Sequence, residues 1–267
     1  MPGFLLINPR SGDDNPSAED LVEEARRRGI ETHVLDPEAD PEELARGADA
    51  DALGVAGGDG SLAPIAQVAI DRHLPFACIP FGTRNHLARD LGLDRTDPIG
   101  ALDAFVDRQE RRIDIGRVGD RPFLNNVSLG LYADLVHRRE HHRRRRVALA
   151  RLRALAVLAR HPRGIELSID RQPVDAQIAL VGNNRYKLDL FSLGERERLD
   201  QGRLHLALAS GWNPSNWEER LTERLTIDTP PHHVKAATDG EPAELETPLE
   251  FRIEPLALRV LVPRAPR

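Results

Sequence analysis

Cysteine, aromatic side chains and long apolar runs are all scarce in this chain. Cys78 is the single cysteine among 267 residues, so no intrachain disulfide framework exists, and its place in "PFACIP" makes it a buried strand residue. Aromatics make up 4% of the chain and none interleave with its basic stretch, which makes single-stranded nucleic acid a poor partner. The net charge of −6 gives no global attraction to nucleic acid either. No uninterrupted apolar stretch of about 18 residues occurs, so no spanning helix is expected. The start "MPGFLLINPR" lacks a basic region and an apolar run long enough for a signal peptide, and cytoplasmic residence is the resulting expectation. Low-complexity linkers and fixed-period repeats are absent as well.

What is present describes a folded globular chain, with 40% apolar and 30% charged residues, long enough for one large core or two modest ones. Over residues 1–120 strand-like and helical segments alternate, the pattern of a parallel sheet flanked by helices. "GFLLI", "IETHVL", "ADALGVA" and "FACIP" read as strands, and Ser17 with Asp20 reads as a capping box opening "AEDLVEEARRR". Asp40-Pro41 and Asp97-Pro98 open further helices by the cap-then-proline rule. Over 121–267 the texture changes. A helical region at 131–160 is followed by "GIELSID", "VDAQIALVG", "RLHLALAS", "RLTIDT", "LEFRIE" and "LALRVLVP", strands without intervening helices and therefore a mostly antiparallel second domain.

Chemistry concentrates at three strand ends. "VAGGDGSLAP", Val55 to Pro64, places a glycine loop between a buried strand and a helix, with Ser61 as candidate cap and Pro64 in the first turn. Backbone N–H groups and a helix dipole at such a junction face an anion, usually a phosphate. "NPRSG", Asn8 to Gly12, and "IPFGTRNHLARDLGL", Ile79 to Leu93, repeat that geometry. Loops at the carboxyl ends of parallel strands define a ligand crevice, and three together point to a phosphate-bearing ligand. Two readings of Asp59 stand side by side: a carboxylate beside phosphates needs a cation between them, or it holds the loop by accepting N–H bonds.

Taken in order, "NPRSG", "GGDGS", "PFGTRNHLARDLG" and "TDGEP" resemble the motif set of the diacylglycerol kinase and sphingosine kinase type of lipid kinase, above all its soluble bacterial members. The likeness covers nearly the whole chain, with "FLNNVSLGLYA" at 123–133 similar to the opening of that family's second domain. It implies an α/β nucleotide-binding domain, a β-sandwich-like lipid domain, and ATP with Mg2+ in the cleft. It further implies that Asn8, Ser11 and Gly12 line the nucleotide, that Gly57, Gly58, Gly60 and Ser61 wrap the phosphates, and that Gly82, Thr83 and Asn85 close the site. Asp59 would act at the phosphates through magnesium, and Glu241, with Asp239 beside it, would be the base on the acceptor hydroxyl. By itself "DGE" is also a common hairpin turn. The activity implied is phosphoryl transfer from ATP to a hydroxyl of a diacylglycerol-like or sphingoid lipid, which demands positioning and charge neutralisation more than covalent catalysis.

Some positions depart from the family pattern. His86 stands where an aspartate is usual, and Ala63-Pro64 where an Asn-Glu pair is common. Gln201, next to Asp200, stands where some bacterial members use an aspartate for a structural magnesium, so no second metal is expected. The arginine-rich stretch 137–160 is either a peripheral contact with an anionic membrane surface or a helix whose apolar stripe serves its own domain. Trp212 and Trp217 read as loop staples, and His232-His233 lack the partners of a zinc site. An exposed edge strand would allow pairing of two copies. The alternatives are an NAD kinase-like enzyme, against which the absence of any Asn-Glu dipeptide counts, and a non-catalytic nucleotide or lipid sensor.

Overall fold

A computed structural model describes residues 3–12, 16–130, 133, 165–189, 192–209 and 217–264. The expected helix at 131–160, apart from Ala133, lies outside the described residues, as do its arginine stretch, Trp212 and the side chain of Trp217. The chain divides into two compact units, residues 1–115 with 255–267, and residues 116–254. The sequence reading placed one break at residue 120. Instead the C-terminal residues return to the first unit, because the end of the last strand pairs in parallel with Phe76 and Ala77 through Val260 and Leu261.

The first unit runs β1 (Gly3–Ile7), α1 (Ala18–Arg27), β2 (Ile30–Val34), α2 (Pro41–Gly47), β3 (Ala52–Gly57), α3 (Leu62–Asp71), β4 (Phe76–Pro80), α4 (His86–Asp90), α5 (Pro98–Ala101) and β5 (Arg108–Val118). Each helix start follows from local chemistry. The Ser17–Asp20 capping box is formed in full, and Asp40 and Asp97 accept N–H bonds ahead of Pro41 and Pro98. Strands β2-β1-β3-β4 pair side by side, all parallel. Every residue of β1, β3 and β4 is buried, which is why they read as unbroken apolar runs rather than alternating ones. Phe105 fills the space over the backbones of Gly3 and Gly54, where a Cβ would stand 2.4 and 2.6 Å from its ring atoms. The chain order places β2 on one flank of β1 and β3 on the other. The topological switch point of this sheet therefore lies between β1 and β3, where open parallel sheets bind ligands.

The second unit continues with β6 (Arg121–Phe123), β7 (Asn126–Gly130), β8 (Ile165–Ile169), β9 (Gln172–Ala176), β10 (Ile178–Asn183), β11 (Tyr186–Asp189), β12 (Ser192–Arg196), β13 (Leu204–Ala209), β14 (Trp217–Thr222), β15 (Arg224–Asp228), β16 (His233–Thr238), β17 (Glu241–Glu246) and β18 (Leu249–Pro263). Here β9, β8, β15 and the start of β18 pair antiparallel, and β14-β13-β10-β7-β16-β17 form a second antiparallel sheet. Their facing side chains make one core, including Phe123, Val127, Leu129, Ile169, Val181, Leu206, Ile227 and Phe251. This is the sandwich-like arrangement of alternating inward residues. "VDAQIALVG", expected as one strand, breaks at Gln177 into β9 and β10, whereas "LEFRIE" and "LALRVLVP" form one strand, β18.

Phe123 and Phe251 meet edge to face, centroids 6.3 Å apart and planes at 77°, with both rings buried. Phe251→Ala is expected to lower stability by about 3–5 kcal/mol, read as a shifted urea midpoint at unchanged slope. A loss below about 1 kcal/mol would show that the sandwich core closes around the gap.

Candidate active site

The residues after β1, β3 and β4 form three loops that touch one another. After β1, the Asn8 N–H donates to Ala56 O at 2.9 Å, its Oδ1 accepts from Arg10 N at 3.1 Å, and its carbonyl accepts from Ser11 N at 3.1 Å. A side-chain oxygen that imitates a turn carbonyl fixes "NPRSG" in this way. Gly12 follows against the Phe81 ring, where a Cβ would stand 2.3 Å from Cζ.

After β3, Asp59–Ser61 forms a 3-10 turn before α3. Ser61 does not cap that helix, contrary to expectation. Its φ and ψ of −86° and −9° are already helical, so its hydroxyl points back and donates to Gly58 O at 2.7 Å, beside its own N–H at 3.0 Å. After β4, buried Asn85 adopts φ +48°, a conformation asparagine tolerates. Its Oδ1 accepts from Gly82 N at 2.9 Å and its Nδ2 donates to Gly82 O at 2.7 Å, so one amide takes both main-chain groups of Gly82. A Cβ on Gly82 would stand 2.5 Å from the Gly58 Cα, so this contact between the second and third loops requires glycine.

Asp59 ties the same two loops together. Its carboxylate, 8% exposed, accepts from His86 N at 3.0 Å and from Leu87 N at 3.1 Å. These are the first residues of α4, whose N–H groups have no partner within the helix, and a carboxylate there is favoured by the helix dipole. The loop-holding reading of Asp59 is therefore realised. The bond at residue 86 uses the main chain, so His86 satisfies it as an aspartate would. Burial lowers the His86 pKa, reinforced by Arg89 and Arg84 and opposed by the charge of Asp59. Burial and the Asp59 charge push the Cys78 thiol far up, which removes it as a nucleophile. Thr83 is exposed in the third loop, while Ser11, Gly58, Gly60, Ser61 and Gly82 are half-buried.

The second unit builds a different device around "TDGE". Asp239 and Gly240, at φ +50° and +85°, form the two-residue turn joining β16 to β17, with Thr238 paired to Glu241. The hairpin reading of "DGE" thus holds, and Asp239 does more than turn the chain. Its buried carboxylate accepts from Leu124 N at 2.8 Å, Asn125 N at 2.7 Å and Asn126 N at 3.0 Å. Asp239 is thereby occupied with main-chain amides, whereas Glu241 begins β17 exposed.

Three neighbouring groups carry no signal in the sequence reading. Buried Arg196 donates to Leu124 O at 2.6 Å, Asn183 O at 3.0 Å and Asn125 Oδ1 at 2.7 Å, and Asn183 Nδ2 also donates to Leu124 O at 3.0 Å. The adjacent "NN" pairs at 125–126 and 183–184 are the only trace such a buried polar network leaves in the sequence. Next to it, His205 is fully buried, with Nδ1 accepting from Tyr186 N at 3.1 Å and Nε2 facing Glu219 Oε2 at 3.0 Å. An Nδ1 that accepts an N–H carries no proton, so the neutral ring donates through Nε2.

The diacylglycerol kinase catalytic domain family matches residues 2–118, the segment that carries all three loops. A diacylglycerol kinase of Mycobacterium tuberculosis (strain ATCC 25618 / H37Rv) is 28% identical over 97% of this chain and 94% of its own length. The chain is similar to diacylglycerol kinases along nearly its whole length, and its residues 2–118 match their catalytic domain. Another diacylglycerol kinase, from Bacillus subtilis (strain 168), is 27% identical over 67% of this chain and 59% of its own length. The crystal structure of a diacylglycerol kinase from Bacillus anthracis str. Sterne shares the fold, with a TM-score of 0.73 and 17% identity over 97% of this chain and 96% of that one. The protein is thus a kinase that phosphorylates an alcohol group. Of the family-implied residues, those from Asn8 to Asn85 come together in the first unit, and Asp239 and Glu241 share one turn of the second.

Two expectations follow for this kinase. Asp239→Asn would point an N–H at a backbone N–H of residues 124–126 and leave a buried donor unpaired, for a loss of about 1–3 kcal/mol in a denaturant titration. The second concerns acid. Burial lowers the His205 pKa from 6.5, so the unfolded chain binds this proton more tightly than the folded one. Stability is then full above pH 6.5 and falls as pH drops below it, by up to about 1.4 kcal/mol per pH unit. His205→Asn, whose Oδ1 can replace Nδ1 as acceptor, is expected to flatten that acid limb in urea titrations across pH, and an unchanged slope would assign the limb to other groups.

Proposed function

We propose that this lipid kinase transfers the γ-phosphoryl group of ATP, with Mg2+, to a hydroxyl of a diacylglycerol-like or sphingoid lipid. The observation that carries the proposal is the convergence of three glycine-containing loops at the switch point of the first unit, with main chain packed against main chain at Gly58 and Gly82. Such loops receive phosphate through backbone N–H groups. Asn8, Ser11, Gly12 and Thr83 would border the nucleotide, and Gly57, Gly58, Gly60 and Ser61 would surround its phosphates.

The donor set fits magnesium on these terms. Among the described residues no three His, Cys, Asp or Glu side chains gather as a metal site. Mg2+ in kinases is held by one or two carboxylates together with substrate phosphates and water, not by an all-protein cage. Asp59, buried in the glycine loop after β3, would supply such a carboxylate. When bound, the ion neutralises phosphate charge. Glu241 takes the proton of the acceptor hydroxyl as its oxygen bonds to the γ-phosphorus, and ADP leaves with the electrons of the broken P–O bond. Asp239 sets the turn from which Glu241 projects.

The test is transfer of labelled γ-phosphate from ATP to lipid acceptors in mixed micelles, with magnesium and with NAD as a separate acceptor. Labelled lipid is expected, with Asp59→Asn and Glu241→Gln each lowering kcat by about 10²-fold or more and thermal melting used to check the fold of both. Labelled NAD phosphate, or nucleotide binding without any transfer, would overturn the assignment. Turnover of Glu241→Gln at the level of the unaltered chain would remove that residue as the base.

A further inference from the structure

Arg196 ends β12 with its side chain buried, 3% exposed, far along the chain from the turn that carries Glu241. Its guanidinium binds residues 124–125 and Asn183. Nη1 donates to Leu124 O and Asn183 O, and Nη2 donates to Asn125 Oδ1, while Cζ lies 5.2 Å from the centroid of the Tyr186 ring. The same segment is held on its amide side by Asp239, through the N–H groups of residues 124, 125 and 126. Residues 124–126 therefore lie between a buried cation and a buried anion, N–H groups toward the carboxylate and acceptor oxygens toward the guanidinium. This orientation suits both charges.

The consequence reaches Glu241. Within its sheet β17 stands at the edge, paired to β16 alone among the described strands, so no further strand aligns its first residue. The turn of Asp239 and Gly240 restrains that end, and the Asp239 carboxylate fixes the turn. We infer that Arg196 is a positioning residue for Glu241, acting through Asn125 and the 124–126 main chain on Asp239; this rests on the reading of Glu241 as the base. The fork of a guanidinium suits the task, because one planar group serves three oxygens in two directions, which a single ammonium cannot. A misplacement of about 1 Å at a reacting group is enough to cost turnover heavily.

The experiment is a double-mutant cycle on the full chain. Arg196→Lys keeps the charge and loses the fork, and Asn125→Ala removes one link while Arg196 keeps its carbonyl partners. Each is expected to lower kcat at least fivefold with the KM values for nucleotide and lipid unchanged within twofold, and to cause no further loss when combined with Glu241→Gln. Equal losses in both backgrounds, unchanged kcat in both variants, or a chain that unfolds in both would overturn the inference and leave a purely structural tie. Glu241→Gln with the turnover of the unaltered chain would overturn the base assignment and this inference with it, an outcome distinct from additive losses beside an impaired Glu241→Gln.

Discussion

A buried aspartate that gathers the backbone N–H groups of a distant segment is the interaction on which both units rely. In the first unit Asp59 holds the start of α4, and in the second Asp239 holds residues 124–126. Each aspartate precedes a glycine in a tight turn, and each bond joins segments remote in sequence. An unpartnered N–H in either buried place would carry a penalty comparable to a lost hydrogen bond. The carboxylate removes that penalty and fixes a loop in the same stroke. Bonds to charged acceptors are also stronger than those between neutral groups, so each tie constrains its loop firmly.

The two carboxylates differ in their surroundings. Asp59 bonds two amides at the mouth of a loop system containing half-buried Ser11, Gly58 and Gly60. Asp239 bonds three amides of residues 124–126, where Leu124 O and Asn125 Oδ1 accept from Arg196. A carboxylate committed to three amides is suited to holding geometry. This is why the base is proposed to be Glu241 and not Asp239.

Much of the first unit was legible in the sequence because its strands are buried on both faces. "GFLLI", "ADALGVA" and "FACIP" leave unbroken apolar runs, and glycine, proline and asparagine punctuate the loops that follow. The second unit was legible only where apolar residues alternate cleanly. Strands such as β12, β14 and β17, rich in glutamate and arginine, gave no sign of themselves, since a strand with one solvated face and little apolar content resembles a surface loop. The return of the C-terminus to β4 depends on pairing between residues far apart in the chain, which no local pattern encodes. Arg196 was invisible for the same reason. In "SLGER" it reads as a solvated charge, and only the meeting of β7, β10 and β12 buries it.

The kind of bond each position makes also explains which departures from the family pattern the site tolerates. At residue 86 the tie to Asp59 uses the main-chain N–H, which every residue except proline supplies, so histidine replaces the usual aspartate without breaking it. Residue 61 contributes its hydroxyl and its N–H to one carbonyl, a task that needs a hydroxyl side chain. Gly82 has no such latitude. A single Cβ there would stand 2.5 Å from the Gly58 Cα, backbone against backbone, with no flexible side chain to give way. Freedom at residue 86 and none at residue 82 both follow from a site built from main chain, in which side chains serve chiefly to hold that main chain still.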